Sequence, residues 1–131
     1  MIGLYNNVTM LDAGKQTGTL ISASNKLTVV LNSSLSEQKD IWVAIRTIAE
    51  DHKTVGATTL AFEGTHADKW SFASLEDDNV FLGWGEPLVI EEEIRNSNKI
   101  LKIRVKCLEN ESVMSDVSTS IKITSTIGTV A

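Results

Sequence analysis

A chain of 131 residues with 42% hydrophobic residues and a formal net charge of −5 is long enough for one domain with a real core, and too apolar to stay disordered. The acidic balance, with Lys and Arg dispersed, weighs against a general nucleic-acid binder, and no apolar run reaches the length of a membrane-spanning helix. A single cysteine, Cys107, excludes an intramolecular disulfide.

The first residues, Met1 to Asn7, lack a basic region followed by an apolar one, so no secretory signal is expected and synthesis is expected in the cytoplasm. Residues 1–24 read as an N-terminal arm or edge segment, and residues 25–131 as a single β-sandwich domain. In the arm, Ile2, Leu4, Val8 and Met10 suggest short extended pieces, broken by Asn6-Asn7 and by the polar turn Asp12 to Gly18. Leu20 and Ile21 begin the sheet. Such a segment either folds back onto its own domain or reaches a neighbouring subunit.

From Lys26, Leu27, Val29 and Leu31 alternate with Thr28 and Val30, and Asn32-Ser33-Ser34 marks a turn. Ser36 to Asp40 is polar and reads as a loop or a brief helical turn. Ile41 to Ala49 has apolar residues at both parities and many β-branched ones, as a central strand covered on both faces does. A charged turn, Glu50 to Lys53, precedes a short strand from Thr58 to Phe62. Trp70 and Phe72 fall on one face of another strand. Glu76-Asp77-Asp78-Asn79 is an acidic turn, and Val80 to Leu82 ends at Gly83-Trp84-Gly85.

Pro87, the single proline, suits a strand entry. Leu88, Ile90 and Ile94 then alternate with Val89, Glu91 and Glu93, so residues 88–105 read as a hairpin. In its second half, Leu101, Ile103, Val105 and Cys107 alternate strictly with Lys102, Arg104 and Lys106. A period of two places the first set inward and the cations outward. Cys107 is therefore a small buried hydrophobe, and the cations pair across the strands with Glu91 and Glu93. Ile121, Ile123 and Ile127 share one side of the last strand, opposite Lys122, Thr124 and Thr126. About eight short strands with frequent turn signals give an all-β class, an antiparallel β-sandwich with the extended arm.

Chemistry is hard to build from these residues. His52 and His66 fall in polar loops outside any metal-ligand spacing, and no G-x-S-x-G motif or phosphate-binding loop occurs. The 76–79 turn lacks the residue order that bends a loop around calcium. Asn7-Val8-Thr9, Asn32-Ser33-Ser34 and Asn110-Glu111-Ser112 match the glycosylation acceptor pattern and, without a secretion signal, read as chance matches. The expectation is therefore a protein without catalysis, cofactor or metal. Trp84 between two glycines is the aromatic best placed in a loop, and with Leu4, Tyr5, Val8 and Met10 of the arm it makes the candidate partner-binding set.

Lys69-Trp70 with Ala73, then Trp84-Gly85-Glu86-Pro87-Leu88, Asn98 before the strand 100–108, Glu111, and Ser115-Asp116-Val117-Ser118 before the final strand follow one another in a suggestive order. In this order residues 69–127 resemble the C-terminal half of small Ig-like β-sandwich proteins of tailed-phage virions, in capsid decoration and in tail or collar parts. The resemblance implies an Ig-like, non-catalytic structural protein of the virion. Its partners would be other virion proteins and copies of itself, with no nucleic acid and no membrane. A carbohydrate-binding or adhesion module, with a glycan as partner, is the alternative.

Overall fold

A computed structural model describes residues 2–21, 38–64, 67–77, 79–106 and 120–130 of the chain. Among the described residues there is no α-helix, and all named strand pairs are antiparallel. The strands are β1 (Ile2–Asn6), β2 (Thr19–Leu20), β3 (Gln38–Thr47), β4 (His52–Thr54), β5 (Thr58–Glu63), β6 (Trp70–Phe72), β7 (Leu88–Ile90), β8 (Lys99–Lys106), β9 (Ser120–Thr124) and β10 (Ile127–Thr129). One sheet has the order β2-β1-β3-β8-β6, a second β7-β5-β9, and β10 pairs with β4.

The five-stranded sheet is built on β3 and β8, in register from Gln38 opposite Lys106 to Ile45 opposite Lys99. As the alternation of β8 requires, Leu101, Ile103 and Val105 are buried, while Lys102, Arg104 and Lys106 lie half-buried on the other face. In β3, Val43 to Thr47 are all buried. Val43 and Ile45 join the main core, whereas Ala44 packs on the opposite face with Tyr5 and Val8. From Val43 to Thr47 this strand is covered on both sides, while Gln38 to Asp40 are exposed.

The two larger sheets share one core in a sandwich-like arrangement. Val43, Ile45, Phe72 and Ile103 come from the first sheet, and Leu60 and Ile90 from the second, all fully buried. Phe62 stacks on Phe72 with ring centroids 4.2 Å apart and tilts against Trp70 at 5.8 Å, so aromatic contact crosses the gap between the sheets. Each side chain of this size contributes roughly 1.5–3 kcal/mol by leaving water. Ile121 and Ile123 pack against the same core from β9, with Lys122 and Thr124 exposed.

Of the two courses open to the N-terminal segment, the structure shows the first: residues 2–21 fold back onto their own sheet, where β1 pairs with β3 from Ile2–Thr47 to Tyr5–Ala44, and β2 closes on β1. Leu4, Tyr5 and Val8 are buried there because a strand far along the chain supplies the edge that the short apolar pieces lack. Residues 88–105 are not a hairpin. β7 pairs with β5, β8 belongs to the other sheet, and the connection between them buries Ile94. Two hydrogen bonds to Thr54 fix that crossing: the Ile94 N–H donates to the Thr54 side-chain Oγ1 at 2.8 Å, and the Ile94 carbonyl accepts from the Thr54 N–H at 2.9 Å.

The polar run before Ile41 is also extended, since Gln38 to Asp40 pair with Lys106 to Arg104. His52 opens β4 rather than sitting in a loop, and Ile127 leaves the row of Ile121 and Ile123 to pair with Thr54. The strand expected at Leu27, Val29 and Leu31 lies outside the described residues, as do His66, Asp78 and Cys107.

Candidate interaction face

The outer face of the five-stranded sheet, turned away from the core, carries the chain's unusual side chains. Lys102 and Arg104 point outward from β8, and Asp40 stands opposite Arg104 on β3. Arg104 grips Asp40 with two nitrogens, Nε at 2.7 Å and Nη2 at 3.0 Å, and Lys102 Nζ approaches it at 3.7 Å. The Arg104 hydrogen bonds are the main reason that the Asp40 carboxyl sits below its ordinary value, burial opposing and the two positive charges adding to the effect. For Lys102 and Arg104 the expected pairing with Glu91 and Glu93 is replaced by this one carboxylate. Glu93 instead pairs with Arg95 and Lys53, and Glu92 with Lys99, because β7 and β8 are in different sheets.

Residues 81–86 lie along this face as an added rim. The Leu82 N–H donates to the Phe72 carbonyl at 2.9 Å, the Gly85 N–H to the Trp70 carbonyl at 2.8 Å, and Ser71 Oγ to the Leu82 carbonyl at 2.8 Å. So held, Phe81 stacks under the Arg104 guanidinium at 3.9 Å, and the Trp84 ring lies 4.3 Å from Lys106 Nζ. Cations over aromatic faces are attracted by the ring quadrupole, by about 0.5–1 kcal/mol where water reaches them. Gly85 has φ of +80°, which lets the chain turn back tightly after Trp84. Trp84 remains 38% exposed.

A second wall comes from the N-terminal loop. Thr9 and Asp12 form a reciprocal cap on the 3-10 turn Met10–Asp12: the Thr9 N–H donates to Asp12 Oδ2 at 2.8 Å, and the Leu11 N–H donates to Thr9 Oγ1 at 3.2 Å. The Thr9 backbone bond and then the Thr17 hydroxyl, 2.7 Å from Asp12 Oδ1, lower the Asp12 carboxyl below its ordinary value. Asn98 Nδ2 donates to the Asp12 carbonyl at 3.1 Å, and the Gly14 N–H donates to the Asn98 carbonyl at 2.9 Å. Beneath the loop, buried Arg46 donates to the Thr17 carbonyl at 2.6 Å and lies 3.6 Å over the Tyr5 ring. The loop is tied to its own domain at both ends and underneath.

Between this loop and the Ala73–Asp77 segment runs a groove of about 390 Å³. Trp42 and Ile100 make its floor, Met10 and Leu75 its walls, and Glu76 with Lys102 part of its polar rim. Trp42 is therefore only half-buried, on the outer face, whereas Trp70 is in the core. Of the expected partner-binding residues, Leu4, Tyr5 and Val8 are buried within the domain, while Met10 (58%) and Trp84 remain exposed. Leu11, 82% exposed, and Leu75 were not singled out from sequence, because a lone leucine in a polar turn carries no periodic signal.

Among the described residues no three His, Cys, Asp or Glu side chains are grouped to hold a metal ion, and no helix is long and apolar enough to cross a membrane. No family profile matches the chain, and no curated protein or solved structure matches it significantly.

Proposed function

We propose that this chain is a non-catalytic structural protein of a phage virion, an Ig-like β-sandwich that docks on capsid or tail proteins and assembles with copies of itself. The resemblance of residues 69–127 supplies the virion setting. The single observation that supports a docking role is the outer face of the five-stranded sheet, where Met10 and Leu75 line the groove and Trp84 lies over Lys106, all three exposed to water. Exposed apolar side chains grouped on one face are a common mark of an interaction site. The protein would act in the virion after synthesis in the host cytoplasm.

Co-sedimentation of the purified chain with preformed phage capsids and tails tests this reading. Binding weakened by Trp84→Ala is the expected result, and no binding to any shell or tail overturns it. One feature favours the glycan-binding alternative: a tryptophan, Trp42, floors a groove with polar groups on its rim. Binding of free oligosaccharides, lost on Trp42→Ala while shell binding is absent, would establish that alternative.

A further inference from the structure

We propose that residues 9–17, in the connection between β1 and β2, are a strap latched by the Asp12 carboxylate, which opens as a unit while the sandwich stays folded. Met10 and Ala13 of the strap line the groove that Trp42 and Ile100 floor, and Thr17 covers the Arg46 guanidinium, so opening uncovers all three. The inference goes beyond the docking reading and does not depend on it.

The strap is fixed without a core of its own. None of its side chains is buried, whereas Val8 just before it packs with Tyr5 and Ala44. Among the described residues, its hydrogen bonds to the rest of the domain go to Asn96, Asn98 and Arg46. Gln16 Nε2 donates to the Asn96 carbonyl at 2.8 Å, the Asn98 N–H to the Lys15 carbonyl at 2.7 Å, and Arg46 Nη1 to the Thr17 carbonyl at 2.6 Å. A segment held by polar bonds near water, with little apolar burial, opens at a lower free energy than a core strand. Its neck is firmer. Asn6 pairs with Thr19 and Tyr5 with Leu20, so β1 and β2 stay joined when the strap lifts. Left-handed backbone flanks it, at Asn7 with φ of +58° and Gly18 with φ of +100°, where the chain leaves and re-enters the sheet.

One carboxylate gathers the strap. Asp12 Oδ2 accepts the Thr9 N–H at 2.8 Å from one end, and Oδ1 accepts the Thr17 hydroxyl at 2.7 Å from the other. Thr17 also gives its carbonyl to Arg46 and its hydroxyl oxygen to Asn98 Nδ2, at 3.2 Å. Losing the hold of Asp12 therefore loosens the cover over the guanidinium. Asp12→Asn leaves a single acceptor oxygen, which cannot serve both ends. Gly18 gives an independent handle. A Cβ there would stand 2.7 Å from Val8 and 2.9 Å from the Asn6 carbonyl, so Gly18→Ala props the end of the strap off the sheet with Asp12 intact.

The test is amide hydrogen exchange of the folded full chain, followed by NMR in rising, sub-denaturing urea. The N–H groups of Asp12, Gly14, Lys15 and Asn98 all donate to the strap or from it. They should share one protection factor, nearly independent of urea, because opening exposes little surface. The N–H groups of Val43 and Ile103 should be far better protected and lose protection as urea rises. Asp12→Asn should lower the protection of all four strap-linked groups by roughly tenfold or more, and Gly18→Ala should act in the same direction. Strap groups that share the urea-sensitive exchange of Val43 overturn the proposal, since the strap would then open only with the whole fold. Four unrelated protection factors, exchange as fast as in a free peptide, or indifference to Asp12→Asn overturn it as well. Shells play no part in this measurement, so a strap that opens as expected in a chain that binds no shell or tail supports the inference while the virion role fails.

Discussion

Arg46 Nη1 donates to Asn98 Oδ1 across 2.5 Å, although the two residues are 52 positions apart in the chain. Both are buried, and Asn98 also reaches Asp12 and Thr17, so one amide ties the N-terminal loop to the β7–β8 connection and to β3. Asn98→Ala leaves a buried guanidinium short of an acceptor. A hydrogen bond to a charged group is worth about 1.5–3 kcal/mol, so urea unfolding should show a loss of that order with an unchanged slope. A loss under about 0.5 kcal/mol, no more than an ordinary surface change, would show that water replaces the amide without cost.

Ile103 is fully buried on β8, whereas Val89 on β7 is 48% exposed. Ile103→Ala should therefore cost about 2–5 kcal/mol, and Val89→Ala well under 1 kcal/mol. Equal effects at the two positions would mean that the inner and outer faces have been confused.

Thr58 is fully buried, and its hydroxyl has no hydrogen-bond partner. Burying an unsatisfied hydroxyl costs about 1–3 kcal/mol, and valine keeps the branched shape while removing it. Thr58→Val should raise the urea midpoint, by about 1 kcal/mol in stability. A lower midpoint would reveal that the hydroxyl is satisfied in solution.

Asp40 links the acid stability of the fold to its outer face. Its carboxyl is held below its ordinary value by Arg104, so the unfolded chain binds the proton more readily. The stabilisation is fully present above the ordinary carboxylate value of 3.8 and is lost as pH falls through the lower folded value. Asp40→Asn should thus melt below the native chain at pH 7, and the gap should close in strong acid. A gap that is constant with pH would assign the effect to packing.

The parts of the fold legible in sequence are those with a local period. The strict alternation from Leu101 to Lys106 gives the two faces of β8, and the mixed parity of Ile41 to Ala49 points to a strand covered on both sides, which the structure bears out from Val43 to Thr47 while Ile48 is exposed beyond the strand's end. What stayed hidden is pairing between distant segments. Nothing near Leu88 says that its neighbour is Leu60 rather than the strand that follows it, so the hairpin reading and the Glu91 and Glu93 pairings failed together. The candidate face was half legible. Trp84 between glycines is visible in the sequence, but the burial of Tyr5 depends on Ala44, and the cover over Arg104 depends on Phe81.

The pairing of β3 with β8 also sets a timetable for the chain as it is made. Asp40 and Arg104 face each other from positions 64 residues apart. At synthesis rates of about 5–20 residues per second, β3 exists for roughly 3–13 seconds before its central partner has been added. Folds dominated by distant pairings close in about milliseconds to seconds once complete. The ribosome, rather than the search for register, then decides when the sheet appears, and until β8 is made Val43 and Ile45 depend on whatever shields a nascent apolar strand.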